Sequence, residues 1–314
     1  MIPARLLAIE QSESVSAVGL GQAELRAGWL PWPEETILAD LFRLRSEVDE
    51  LLRRDAAAVE HSLAGYPVGF CKPIRDSGLR RLLHPTEADG ERPAFRAVAG
   101  FQQAGGIVKG LWGVQKGIYF QNAIQIGDLW CDLANDTVDV KRPSVEVCPL
   151  AEARFEELES FEHFARVAGV YWEAQAYPNH LFPAIAPVLP VILMDQAGGL
   201  RLAAPKTLLP RNIRLDYELA TSFLGSGDFA ARRLPEPVIE RLARSQRARS
   251  GWFAAVPAWC AGFDPALGPP DAARLIAAER EACRGLSEAE FTRRFFDMIR
   301  CTARALNGNP GQVA

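Results

Sequence analysis

The chain has 314 residues, with 35 basic and 39 acidic side chains and a formal net charge of −4 at pH 7. Its 48% hydrophobic and 24% charged residues are typical of a globular protein and exclude an extensively disordered or fibrous chain. Since the longest apolar run, residues 184–194, is too short to span a bilayer and no secretion signal begins the sequence, we expect a cytoplasmic protein with no membrane partner.

The first half of the sequence predicts one long helix followed by strands. Residues 1–31 are expected to form a strand or two, or an arm that packs on the body. Pro33 begins a helix that runs to about Gly65, because apolar residues recur there at helical spacing. From residue 66 to residue 148, short runs of β-branched and aromatic residues between Gly and Pro predict strands. A second helix is expected over residues 150–170.

The second half predicts a hairpin and then helices. Apolar residues 188–194 and 200–204, separated by two glycines, predict a buried hairpin. Four helices are expected over residues 213–224, 236–250, 271–284 and 287–306. In the last of these, Ser287 and Glu290 have the spacing of a capping box.

These elements predict an α+β protein with a central antiparallel sheet, made of roughly residues 66–148 plus 188–206, flanked by segregated helices. A sheet-containing body of residues 1–212, including the long N-terminal helix, would carry a helical C-terminal region of residues 213–314. The two parts could also form one single domain.

The clearest local prediction is a hairpin within residues 118–141. Gly127 and Asp128 suit a two-residue turn, since Gly accepts the positive φ that a type II′ turn needs. Gln125 would then lie opposite Trp130. The apolar face of the hairpin would carry Ile118, Phe120, Asn122, Ile124, Ile126, Leu129, Cys131 and Leu133, and the outer face Tyr119, Gln121, Ala123, Gln125, Trp130 and Asp132.

The length of a second turn determines whether two aspartates lie opposite each other in the sheet. A two-residue turn at Asn135-Asp136 would place Asp132 directly opposite Asp139, where like charges repel. Lys116, Lys141, a bound cation or a proton shared between the carboxylates could compensate, and the shared proton would raise one pKa. The alternative is a longer loop that keeps the aspartates apart.

The outer face combines aromatic, amide and charged groups, which suit a small polar molecule such as a sugar or an amino-acid derivative. The alternative is that other elements cover this face and the polar groups satisfy one another. The predicted ligand-binding residues are Trp130, Tyr119, Gln121, Gln125, Lys141, Trp112 and Lys109. The predicted catalytic residues are Asp132, Asp139, Lys116 and His180.

His180 is included because it lies in a loop at a predicted strand entrance, as either a base or a satisfied loop histidine.

The sequence identifies neither a cofactor nor a metal site. None of the six cysteines stands in a C-x-x-C pair or near a histidine at zinc-finger spacing, and we expect reduced thiols. There is no G-x-S-x-G motif, no phosphate-binding loop of the G-x-x-x-x-G-K-S/T type and no G-x-G-x-x-G after a strand.

Two functions remain open. The first is binding of a small polar metabolite at the outer sheet face, with a reaction catalysed there as a further option. The second is a non-catalytic interaction or adaptor role in a larger assembly. The second would use the arginine-rich helical C-terminal third, since residues 201–314 carry a net charge of about +5. That charge is too small to indicate a nucleic-acid partner.

Overall fold

The computed structural model describes residues 13–16, 20–54, 65–86, 92–182, 185–225 and 227–248, with scattered positions between 277 and 293. By its internal contacts the chain divides into two compact units. One comprises residues 11–157, and the other contains the described residues from Leu158 onward. The fold is α+β, as the sequence predicts.

The first unit begins with four helices: the first lies where the sequence predicts a strand or two, or an arm, and the third and fourth replace predicted strands. Their bounds are α1 Leu20–Trp29, α2 Glu34–Arg54, α3 Cys71–Leu83 and α4 Pro93–Gln103. The start of α2 after Pro33 is confirmed. The prediction of strands from residue 66 is wrong up to residue 103. In α3 the buried residues Ile74, Gly78 and Leu82 recur every four positions, which is a helical spacing. The strand prediction is based instead on the Gly and Pro residues between short apolar runs.

The antiparallel sheet of the first unit has the order β4-β3-β2-β1-β5. Its strands are β1 Val108–Gln115, β2 Tyr119–Ile126, β3 Leu129–Asp132, β4 Glu146–Pro149 and β5 Phe155–Glu156. The β1–β2 turn is formed by Lys116 and Gly117, both at positive φ. Gly127, at a φ of 59°, forms the predicted β2–β3 turn, and the predicted pairing of Gln125 with Trp130 is confirmed.

The core of the first unit lies between the helices and one face of this sheet. It contains the predicted apolar residues of β2 and β3, including Ile124, Ile126, Leu129, Cys131 and Leu133. Ile118 was expected in this core but is 50% exposed, because it follows the turn before β2 begins.

The second unit contains a separate three-stranded sheet with the order β6-β7-β8. Its elements are α5 Phe161–Tyr171, β6 Gln175–Pro178, β7 Val191–Met194, β8 Leu200–Ala203, α6 Leu208–Arg214, α7 Glu218–Gly225, α8 Gly227–Ala230 and α9 Glu236–Ala248. The predicted hairpin is confirmed as β7–β8. The single predicted sheet is therefore two sheets, and β6 is a strand that the prediction lacked.

Two predicted helices differ from the structure in their bounds. The helix expected over residues 150–170 begins only at Phe161, where the Ser160 hydroxyl caps it by accepting the His163 N–H at 3.1 Å. The helix expected over residues 213–224 is broken at Asp216 and Tyr217, which both have positive φ.

The helices expected over residues 271–284 and 287–306 fall almost wholly outside the described residues. The capping box is nevertheless present, since the Glu290 N–H donates to the Ser287 hydroxyl and the Ser287 N–H donates to the Glu290 carboxylate.

Candidate functional site

The predicted outer face of the first sheet is buried, as its other face is. We call it the amide face, because three fully buried glutamines line it together with an aspartic acid, a tyrosine and a tryptophan. Its members are Gln115, Tyr119, Gln121, Gln125, Trp130 and Asp132. The strand pairing also places Lys109 on this face, opposite Gln125.

Two segments of the same unit cover the amide face. The Ser16 N–H donates to Gln125 Oε1 at 3.0 Å, and Gln125 Nε2 donates back to the Ser16 carbonyl at 3.0 Å. The ring of Phe155 lies 4.7 Å from that of Trp130. The Phe155 ring also lies over Gly113, where an added Cβ would come within 2.5 Å of this ring. At Gln125, therefore, the structure agrees with the alternative prediction: another segment covers this residue, and its amide group has hydrogen-bond partners.

Asp132 lies at the centre of the polar groups on the amide face and is fully buried. One carboxylate oxygen accepts Gln121 Nε2 at 2.6 Å, and the other accepts the Ala134 N–H at 2.7 Å. Burial raises the pKa of Asp132 to about 7, with a smaller contribution from the negative charge of Glu146, against the two hydrogen bonds. This carboxyl group therefore exchanges its proton near neutral pH, as acid–base groups of functional sites do.

The predicted pairing of Asp132 with Asp139 is wrong, and the longer loop is confirmed. The residue opposite Asp132 is Glu146 in β4. Residues Asn135–Thr137 form a 3₁₀ turn, in which the Thr137 hydroxyl donates to the Ala134 carbonyl at 2.7 Å. Asp139 is exposed, and one of its carboxylate oxygens accepts the backbone N–H of Lys141. The like-charge neighbour of Asp132 is thus a glutamate from a strand that the hairpin prediction did not include.

Tyr119 connects the amide face to a cation. Its hydroxyl accepts a hydrogen bond from Arg142 Nη1 at 2.6 Å and donates to Gln115 Oε1 at 3.2 Å. The Arg142 guanidinium also lies 5.0 Å from the centre of the Tyr119 ring. Burial raises the pKa of Tyr119 against the effect of Arg142, so the phenol stays protonated at neutral pH.

Trp130 carries an unpaired donor. Its side chain is fully buried, and within the part of the chain that the structure describes its Nε1 has no hydrogen-bond partner. An unmet buried donor costs about 1–3 kcal/mol, and native structures contain few of them. The indole N–H is therefore available to an acceptor atom that the described residues do not supply.

Of the other predicted site residues in this unit, only Lys109 lies on the amide face. Lys109 donates to the Ser16 hydroxyl at 3.1 Å, and burial lowers its pKa while Glu157 opposes that change. Lys116 and Lys141 are exposed. Trp112 lies on the opposite face of the sheet, paired with Asn122 and stacked on Phe120 at 5.4 Å.

His180 belongs to the other unit and follows β6, in the predicted loop position. It is 9% exposed, and burial lowers its pKa, so its ring is neutral at neutral pH. Its Nε2 has no partner among the described residues. Asn179 fixes this loop by donating to the Leu189 carbonyl at 2.8 Å and accepting the Phe182 N–H at 3.1 Å.

Sequence reasoning missed Gln115, Arg142 and Glu146. Gln115 could have been found, since it lies six residues after Lys109 in β1, a spacing that places both side chains on one face of a strand. Arg142 and Glu146 could not have been found, because their positions depend on the path of the loop between β3 and β4.

Neither a metal-binding cluster nor a membrane-spanning helix is found in the described part of the chain. Those residues contain no group of three or more His, Cys, Asp or Glu side chains that could hold a metal ion. Among the described helices, none has the length and apolar character needed to cross a bilayer. The chain matches no protein-family model, and comparison with curated proteins and with solved structures finds no match.

Proposed function

We propose that the amide face binds a small polar molecule, sugar-like or amino-acid-like, and that Asp132 acts there as an acid–base group. The observation that carries the proposal is the indole N–H of Trp130, which has no acceptor among the described residues, because a fully buried donor without an acceptor is what a ligand oxygen would satisfy. Binding requires the segment that carries Phe155 to move off the Trp130 ring.

The surroundings of Trp130 support the same proposal. Ligand sites combine apolar and aromatic walls with a few polar groups that fix orientation. Here the indole ring supplies the wall, while Gln121 and Asp132 supply donor and acceptor groups. With a pKa of about 7, Asp132 is divided between its acid and its carboxylate form at neutral pH. It can therefore give a proton to a ligand oxygen or take one from a ligand hydroxyl or ammonium group.

The adaptor hypothesis stays a prediction. In the arginine-rich C-terminal third, the side chain of Arg241 on α9 donates to the Gly198 carbonyl at 2.5 Å within its own unit. That contact orients the arginine towards its own fold and gives no specific support to an adaptor role.

Ligand binding is tested with two pairs of matched variants in the full chain. A panel of monosaccharides, amino acids and N-acyl amino acids is screened by thermal shift at pH 6 and pH 8, because a ligand that binds the native state raises its melting temperature. Trp130→Phe keeps an aromatic ring but removes the indole N–H. Its control, Trp112→Phe, makes the same change on the opposite face of the sheet. Asp132→Asn is paired with Asp139→Asn, which alters an exposed carboxylate in the following loop.

We expect a panel member to bind the wild type and both controls alike. Loss of one hydrogen bond should weaken its binding to Trp130→Phe by about tenfold, equivalent to about 1.4 kcal/mol. Binding to Asp132→Asn should lose its dependence on pH. Equal affinity of the Trp130→Phe and Trp112→Phe variants would remove the basis of the proposal.

A further inference from the structure

A thiol with two N–H donors lies on the opposite face of the same sheet. Cys71 is the first residue of α3 and is half-buried. Its Sγ lies 3.1 Å from Nδ2 of Asn122 in β2, which donates to it, and the backbone N–H of Lys72 also donates to it. Donors at the N-terminus of a helix stabilise negative charge on a thiol or on its oxidised forms.

The independent observation at this position is the amide of Asn122. This side chain is 4% exposed, and its Oδ1 has no hydrogen-bond partner among the residues that the structure describes. Its Nδ2 contacts Cys71 Sγ, so the unpaired oxygen belongs to the amide group that touches the sulfur. A buried amide oxygen without a donor is costly. A hydroxyl group attached to the sulfur would supply the missing donor.

We propose that Cys71 is a site of reversible oxidation by hydroperoxides, and that the Asn122 amide holds the sulfenic acid product. In the sulfenic acid, the new S–OH group donates to Asn122 Oδ1, while its oxygen accepts from Nδ2 of the same residue or from the Lys72 N–H. With the free thiol, the amide oxygen has no donor among the described residues, whereas the S–OH group of the oxidised form supplies one.

The chemical step is balanced by the hydroperoxide itself. The Cys71 sulfur attacks the terminal oxygen of R–O–O–H, so an S–O bond forms and the O–O bond breaks. The sulfur is oxidised by two electrons and the peroxide is reduced by two. The thiol proton goes to the departing alkoxide, which leaves as the alcohol R–OH. A thiol reductant then returns the sulfenic acid to Cys71 through a mixed disulfide.

Several charges act on the Cys71 sulfur. Burial raises the pKa of the thiol, and the negative charge of Asp132 on β3 acts in the same direction. The Asn122 and Lys72 hydrogen bonds and the positive charge of Arg75 on α3 lower it. Because burial dominates, the thiol form prevails at neutral pH, and oxidation at Cys71 is a slow, concentration-dependent event rather than a rapid one.

The test uses the full chain, hydrogen peroxide as the oxidant and a dimedone-type reagent that traps sulfenic acids, with labelled peptides quantified by mass spectrometry. Cys148 is an internal control, because it is also half-buried and burial raises its pKa to about 11. Cys131, which is fully buried, should stay unlabelled. We expect Cys71 to be labelled at least about tenfold more than Cys148, which is the effect of one hydrogen bond that stabilises the product.

The variant Asn122→Leu, which keeps the size of the side chain, should reduce labelling at Cys71 by about tenfold and leave Cys148 unchanged. The variant Trp112→Phe, which alters the residue opposite Asn122, should leave both unchanged. Labelling of Cys71 in the wild type that does not exceed that of Cys148 overturns the proposal, and this comparison does not depend on the folding of any variant. Labelling that survives Asn122→Leu overturns the role of the amide.

Discussion

Asp132 makes the stability of the protein depend on pH in a direction that is unusual for a carboxylate. Its pKa rises from the ordinary 3.8 to about 7 in the folded protein. The folded protein therefore binds this proton more tightly than the unfolded chain does. Its contribution to the free energy of unfolding is fully present below pH 4 and is lost as the pH rises to about 7. At about 1.4 kcal/mol per pH unit, the loss amounts to roughly 4 kcal/mol.

The variant Asp132→Asn removes this titration while keeping the shape of the side chain. At low pH it should be less stable than the wild type, because its amide oxygen can accept only one of the two N–H groups, from Gln121 or from Ala134, and its NH₂ group then faces the other donor, which costs about 1–3 kcal/mol. As the pH rises from 4 to 8, the stability of the wild type relative to the variant should fall by roughly 4 kcal/mol and level off close to the folded pKa.

Urea denaturation of the full chain, followed by circular dichroism at half-unit pH steps, measures this difference. Asp139→Asn is the matched control, because Asp139 is exposed in the loop that follows the same strand. The control should keep the pH dependence of the wild type. If the curves of the wild type and Asp132→Asn run parallel from pH 4 to pH 8, the raised pKa is wrong, and so is the acid–base role that we assign to Asp132.

Three other predictions concern the same unit. Glu146→Gln removes the negative charge opposite Asp132, so the pH at which the stability curve levels off should become lower, and an unchanged levelling-off pH would show that this charge has no effect on Asp132. Arg45→Met should cost about 3–5 kcal/mol in urea denaturation, because it leaves Asp136 and Asp49 without their buried partner, whereas Arg43→Met, at a 65% exposed site, should cost less than about 0.5 kcal/mol. Gly113→Ala should lower stability by about 1–3 kcal/mol, because the added Cβ meets the Phe155 ring and the Glu156 carbonyl within 2.6 Å. Its control, Gly21→Ala in α1, places a Cβ that meets nothing within 4 Å and should raise stability by up to about 1 kcal/mol. Equal effects of the two glycine variants would contradict the placement of Phe155.

The parts of the site that the sequence predicts are those fixed by local chemistry. The turn at Gly127 needs only a glycine at positive φ, and the turn alone sets the pairing of Gln125 with Trp130. That pairing places five of the predicted residues on one face, namely Tyr119, Gln121, Gln125, Trp130 and Asp132.

The burial of this face and the true neighbour of Asp132 depend on contacts that are distant in sequence. Ser16 reaches Gln125 from more than a hundred positions away, and no alternation within a strand reveals such a cover. The loop after β3 is held by Arg45, which donates to the Leu133 and Ser144 carbonyls and to Asp136. Because the partner of that loop lies on α2, local turn rules predict the wrong turn and the wrong partner for Asp132.

The central claim is that a ligand on the amide face accepts a hydrogen bond from the indole N–H of Trp130. The most direct measurement is the ¹H–¹⁵N NMR spectrum of the tryptophan indole groups, assigned with Trp130→Phe and Trp112→Phe and recorded while the panel is titrated. Our account predicts that a binding sugar or amino-acid derivative shifts the Trp130 indole signal and leaves the Trp112 signal in place. Binding that leaves the Trp130 signal unmoved, or a panel with no binding member, would contradict it.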